Sequence, residues 1–205
     1  VIVVLGRPAL GAAVAGGTPP LDGLAALIAV AAVGRGARVE LVGTVGEDQA
    51  GDAVMVALGV AGVGHAAVLR DPAGVTPGGA KRGPQPRLDA GDIGLGLQFV
   101  PECRVLVVAD DLDEAAAAAT MEAAAYHGAP VVAIVSVGAP VPDAWDRGAT
   151  VLSAPEEEGD DEPVDLAPFA RLVAGFAAGL AEGRPVSEAL SRAVSGAGWE
   201  RAGEP

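Results

Sequence analysis

Gly6 to Gly11 follow an apolar run, the position at which α/β proteins set a phosphate-binding loop. A Walker-type loop closes with Gly-Lys-Ser/Thr, so that the lysine reaches the phosphates and the hydroxyl holds magnesium. Here the chain continues Gly11-Ala12-Ala13, and both groups are missing. The three spaced glycines of a dinucleotide fingerprint are missing too. A plain strand-to-loop turn is the favoured reading of Gly6. The acidic run Glu156-Glu157-Glu158 and Asp160-Asp161-Glu162 offers the oxygen ligands that magnesium takes, although such runs are more often solvated loops. His65 and His127 lie far apart, and His127 sits beside Gly128 at a helix end, where an imidazole meets free carbonyls. Cys103 is the single cysteine. It forms no intramolecular disulfide and no Cys/His metal spacing, and it reads as a buried structural thiol. No Gly-x-Ser-x-Gly elbow is present.

Composition narrows the classes further. The 205 residues are 51 % hydrophobic but only 3 % aromatic. That is enough apolar material for a real core, with few platforms on which bases could stack. The net charge of -14 repels nucleic acid and anionic lipid. Lys81 is the only lysine, so a nucleotide site would rely on backbone N–H groups, helix starts or arginine. The apolar stretch from Gly23 to Gly34 falls short of the ~20 residues of a membrane span. No basic leader precedes the first apolar run, and Arg7 interrupts it, so the cytoplasm is the expected compartment.

These residues must be positioned by alternating elements. Val1 to Leu5, Arg38 to Val42, Ala66 to Arg70, Val105 to Ala109, Val131 to Val135 and Thr150 to Leu152 read as strands. Helices are expected from a cap at Asp22 to Arg35, from Asp48 to Leu58, from an Asp111/Glu114 capping box to Gly128, over Pro168 to Glu182, and over Val186 to Ser195. Residues 71–90 are rich in Gly and Pro and read as a loop that could divide two lobes; residues 156–163 read as an acidic loop. No internal repeat is visible. Strands alternating with helices predict a mostly parallel sheet with right-handed crossovers.

One stretch is more specific. Ala29 leads through Gly36 and Gly43 to Gly46-Glu-Asp48-Gln-Ala-Gly51, and the chain continues Gly59-Val-Ala-Gly-Val-Gly-His65. This resembles the first signature region of the ribokinase-like (PfkB-type) carbohydrate kinases. Val173-Ala-Gly-Phe-Ala-Ala-Gly-Leu-Ala-Glu-Gly183-Arg-Pro-Val-Ser-Glu-Ala-Leu190 is similar to the helix pair after that family's catalytic turn. The resemblance covers most of the chain in order. It implies a three-layer α/β sandwich formed by residues 1–205 as a single domain, ATP and magnesium as cofactors if the protein is active, a sugar or nucleoside as ligand, and a homodimer as one form of assembly.

The departures fall on the functional positions. The family's sugar-binding Asp corresponds to Gly11, five residues after Gly6. In its Gly-Gly-x-Gly/Ala-x-Asn motif, Gly23 and Ala25 fit, but Leu27 replaces the Asn and cannot bond a hydroxyl. Gly6 and Gly23 are the substrate-side positions that survive. The magnesium-linked Asn-x-x-Glu falls at Glu156 and Gly159. The catalytic turn, Asp-Thr-x-Gly-Ala-Gly-Asp, uses open N–H groups at a helix start and a terminal Asp base. Its counterpart here is Ala167-Pro168-Phe169-Ala170, with Ala170 at the base. Residues 11–22 are too few for the family's lid strands, which are expected to be reduced or absent.

The resemblance therefore implies a shortened carbohydrate-kinase relative with phosphoryl transfer lost or strongly impaired. Two other readings stay open. In an active, divergent ATP-dependent sugar or nucleoside kinase, Asp165 would be the base and Glu156 or Glu157 would hold magnesium. In a non-enzymatic module, an exposed sheet face or edge would dock a partner or a second copy.

Overall fold

In the computed structural model, residues 1–12, 19–155 and 164–197 are described. In chain order the elements are β1 (Ile2–Leu5), β2 (Ala9–Leu10), β3 (Leu21–Asp22), α1 (Leu24–Val33), β4 (Val39–Gly46), α2 (Gln49–Val60) and β5 (Gly64–Asp71). There follow α3 (Ala90–Gln98), β6 (Val105–Val108), α4 (Glu114–His127), β7 (Val131–Val135), β8 (Thr150–Ser153), α5 (Ala167–Ala181) and α6 (Val186–Ala197), with a 3-10 turn at Asp143–Arg147.

Six strands form one sheet in the order β5-β4-β1-β6-β7-β8, and every pairing in it is parallel. β1 is apolar at all four positions because helices cover both of its faces. Ile2 and Val4 pack on one side with α1, α2, α5 and α6. Val3 and Leu5 pack on the other with α3, α4 and Trp145 of the 3-10 turn. The result is an α/β/α sandwich of three layers. β2 and β3 stand apart as a two-stranded antiparallel ladder, two residues each, between β1 and α1.

The sheet runs unbroken across both sides of residues 71–90, because β1 pairs with β4 before that stretch and with β6 after it. This stretch therefore does not divide two lobes of sheet. Its last residues cap α3, a helix that the sequence pattern conceals because Gly91, Gly94 and Gly96 break its apolar period. Asp89 and Asp92 form a reciprocal capping box there. The box expected at Asp111 and Glu114 is corrected: Asp113 caps α4 by accepting from the Ala116 N–H at 2.8 Å. Asp22 does not cap α1 either. Gly23 holds that position with φ 78, and the Asp22 carboxylate accepts from the Gly23 N–H.

Cys103 is buried, and burial pushes its thiol up to about 11, which keeps it protonated and unreactive near neutral pH. No described helix is long and apolar enough to cross a membrane. Thr44, on β4, is 2 % exposed, and its hydroxyl has no hydrogen-bond partner. A buried orphan hydroxyl costs about 1–3 kcal/mol, and valine has nearly its shape and suits a strand better. Thr44→Val is expected to leave stability unchanged or raise it by about 1 kcal/mol in urea titration. A loss above that size would show that the hydroxyl has a partner.

Candidate functional site

An open parallel sheet binds ligands outside the carboxyl ends of its strands, where the chain order reverses direction. In this sheet the reversal lies between β1 and β6, at Gly6-Arg7 and Ala109-Asp110. Gly6 is required for close approach: a Cβ there would lie 2.9 Å from that of Ala25 and 3.1 Å from the Ala109 carbonyl oxygen.

Arg7 and Asp110 meet across this point. The Arg7 backbone N–H and Nε donate to Asp110 Oδ2 at 3.1 and 2.7 Å, and Nη2 donates to Oδ1. Nη1 reaches the Pro86 carbonyl at 3.4 Å. The pair is largely enclosed, with side chains 24 % and 13 % exposed. The hydrogen bonds that Arg7 donates to Asp110 raise the Arg7 pKa against the opposing effect of burial. Beside it, Asp111 accepts from the Ser136 N–H at 2.9 Å. A cleft of about 310 Å³ opens here, lined by Leu24, Asp110, Asp111, Ser136, Ala154 and Leu166. It lies at the ends of β6, β7 and β8 and at the start of α5.

Val164 and Leu166, just before α5, form the other wall. Asp165 is exposed, and its carboxylate accepts from the Ala167 N–H at 2.9 Å. Pro168 has no N–H to offer, while Phe169 and Ala170 are 7 % and 1 % exposed. Gly23 lies under the same end of the sheet, where a Cβ would come 3.2 Å from the Arg7 carbonyl oxygen. Glu156 and Glu157 lie outside the described residues. Among the described residues, no group of three or more His, Cys, Asp and Glu could hold a metal ion. His65, on β5, bonds the Val63 carbonyl through Nδ1, and His127 stacks edge-on with Tyr126; neither lines the cleft. A larger concavity, about 1010 Å³, lies between α1, α2 and the start of α5, and Leu27, Ala167 and Ala170 are among the residues that line it. Leu27, Val30, Val56 and Val60 make it mostly apolar, with Gln49, Asp52 and Arg171 as its polar side chains.

The motif Gly46-x-Asp48-x-x-Gly51 builds the neighbouring corner. Asp48 caps α2 by accepting from the Gly51 N–H at 2.7 Å and also accepts from the Thr76 N–H at 3.0 Å. The Thr76 hydroxyl accepts from the Gly46 N–H. A Cβ on Gly51 would sit 2.3 Å from the Gly46 carbonyl oxygen, which Arg70 also bonds. These contacts tie residues 71–78 to the end of β4. Desolvation works to raise the Asp48 pKa, but the bonds from Gly51 and Thr76 outweigh it and hold the carboxyl below its ordinary 3.8. A depressed folded pKa gives stability that is present above the ordinary value and is lost as pH falls through the folded one. Asp48→Ala is expected to cost about 1–2 kcal/mol at pH 7. In denaturant titrations the gap from the parent should begin to narrow as pH falls below about 3.8 and shrink further as it passes the depressed folded pKa.

Sequence patterns bring out Gly6, Gly23 and Asp165 but not Arg7, Asp110 or Ser136. The available signal is position: Arg7 and Asp110 are the first charged residues after two wholly apolar strands.

No protein-family model matches the sequence, and no curated protein does. Solved structures do match. Ribokinase of Arabidopsis thaliana, solved with ribose and ATP, superposes with a TM-score of 0.62 at 15 % identity, over 96 % of this chain and 90 % of that one. A carbohydrate kinase from Agrobacterium tumefaciens gives 0.62 at 16 % identity, over 96 % and 89 %. The fold is ribokinase-like. A PfkB protein from a Polaromonas species gives 0.60 at 16 % identity, over 94 % and 92 %. At these identities the likeness establishes the ribokinase-like architecture, and chemistry has to be argued from the residues. Within that fold, the two-residue strands β2 and β3 occupy the stretch where the sequence resemblance expects lid strands.

Proposed function

We propose that this chain is a divergent relative of the ribokinase-like carbohydrate kinases whose phosphoryl transfer is lost or strongly impaired. The observation that carries it is the start of α5. A phosphoryl group in flight needs converging N–H donors and a base at the attacking hydroxyl. In their place stand Pro168, which has no N–H, and Ala170, which has no acidic group and is buried. The Asp165 carboxylate accepts from the Ala167 N–H, and Asp110 is held by Arg7. A small polyol such as a sugar or nucleoside remains the ligand class that suits the cleft, in a cytoplasmic protein.

The test pairs two measurements on the full chain. ATP consumption is assayed with magnesium across a panel of sugars and nucleosides, and thermal unfolding is followed with and without millimolar magnesium-ATP. No turnover above background is expected. A ligand at ~100 times its Kd stabilises by ~2.7 kcal/mol, so retained nucleotide binding would be plain in the unfolding scan. Robust turnover on any acceptor would sink the proposal; its abolition by Asp165→Asn would then select the active, divergent kinase.

A further inference from the structure

Arg7 has two sets of partners with different roles. The Pro86 carbonyl holds Nη1 from the side of residues 71–90, and Asp110 takes the backbone N–H, Nε and Nη2. Asp110 lines the cleft at the switch point, while Arg7 does not. The carboxylate therefore stands between the open cleft and the guanidinium. The forked N–H geometry that grips Asp110 is the geometry with which arginine grips any planar or tetrahedral oxyanion. With its stem enclosed and Pro86 holding one nitrogen, the guanidinium is held in place from a second side as well.

We infer that Arg7 is an oxyanion receptor masked by Asp110, so that the chain's own carboxylate fills the position a ligand carboxylate or phosphate would take. Asp111 lies nearby as a second negative charge, and its oxygen is engaged by the Ser136 N–H. The inference is independent of whether phosphoryl transfer survives, because anion capture by Arg7 neither requires nor restores turnover.

The probe is inorganic pyrophosphate, titrated against chloride at matched ionic strength and followed by thermal unfolding and calorimetry. The parent protein is expected to be indifferent. Asp110→Ala, which joins the cleft to the guanidinium, is expected to bind at least tenfold more tightly than the parent. Arg7→Met/Asp110→Ala is expected to lose that gain. If Asp110→Ala fails to fold, Asp110→Asn keeps a hydrogen-bond acceptor for Arg7 while removing the charge, and it is expected to show a smaller gain. Equal binding by parent and variant would overturn the mask. Binding that persists without Arg7, or none in either folded Asp110 variant, would overturn the receptor.

Discussion

Gly43→Ala is expected to lower the unfolding temperature by about 6–12 °C. Gly43 lies on β4 beside the end of β1, and a Cβ there would fall 2.0 Å from the Gly6 carbonyl oxygen. The Cβ is fixed by the β4 backbone and the oxygen belongs to the backbone of the residue that follows β1, so no rotamer relieves the overlap. The strands must part, which breaks the bond from the Gly6 N–H to the Val42 carbonyl. Overpacking of this kind costs about 3 kcal/mol or more, and a chain of this size loses about 2–4 °C per kcal/mol. Gly94→Ala is the matched control. Gly94 is exposed within α3, and an added Cβ meets nothing within 4 Å. Alanine there should gain up to about 1 kcal/mol from helix propensity. A drop under about 2 °C for Gly43→Ala would mean that β4 and β1 are further apart than described.

Phe176→Ala is expected to cost about 3–5 kcal/mol, close to the upper range for core truncations. Phe176 is fully buried between α5 and the sheet, in a layer that apart from Phe169 is built mainly from Ala, Val, Leu and Ile. Small neighbours have little side chain with which to fill the space a ring leaves, so a cavity should persist. Against a typical total of about 5–15 kcal/mol, that is a large share. Urea titration should show the midpoint falling with little change in slope. A loss below about 1.5 kcal/mol would indicate collapse into the cavity.

The inner strands were legible because burial on both faces leaves an unbroken apolar run, as at Ile2–Leu5, Val105–Val108 and Val131–Val135. α2 was legible through Asp48, whose cap is a local signal. α3 was not, because three glycines dilute its period. Nor was the true cap of α4: Asp111 and Asp113 suit that role equally by type, and only the tertiary bond from Ser136 engages Asp111 elsewhere. The candidate site was the least legible part. Arg7 and Asp110 are 103 positions apart, and no local pattern pairs them. Only the order of strands in the sheet brings them together. Gly23 and the Gly46-Asp48-Gly51 corner stand out as a motif because glycine is demanded there by close backbone approach.

The central place of β1 has a consequence for how the chain comes off the ribosome. Its neighbours are β4 on one side and β6 on the other, so Ile2–Leu5 emerges before both and gains its second partner only after Val108 has been made. At roughly 5–20 residues per second, the interval is on the order of 5–20 seconds. Throughout it, an apolar strand has one flank open to whatever else is nearby. Biogenesis of this protein should therefore depend on the early half being shielded until synthesis has passed β6.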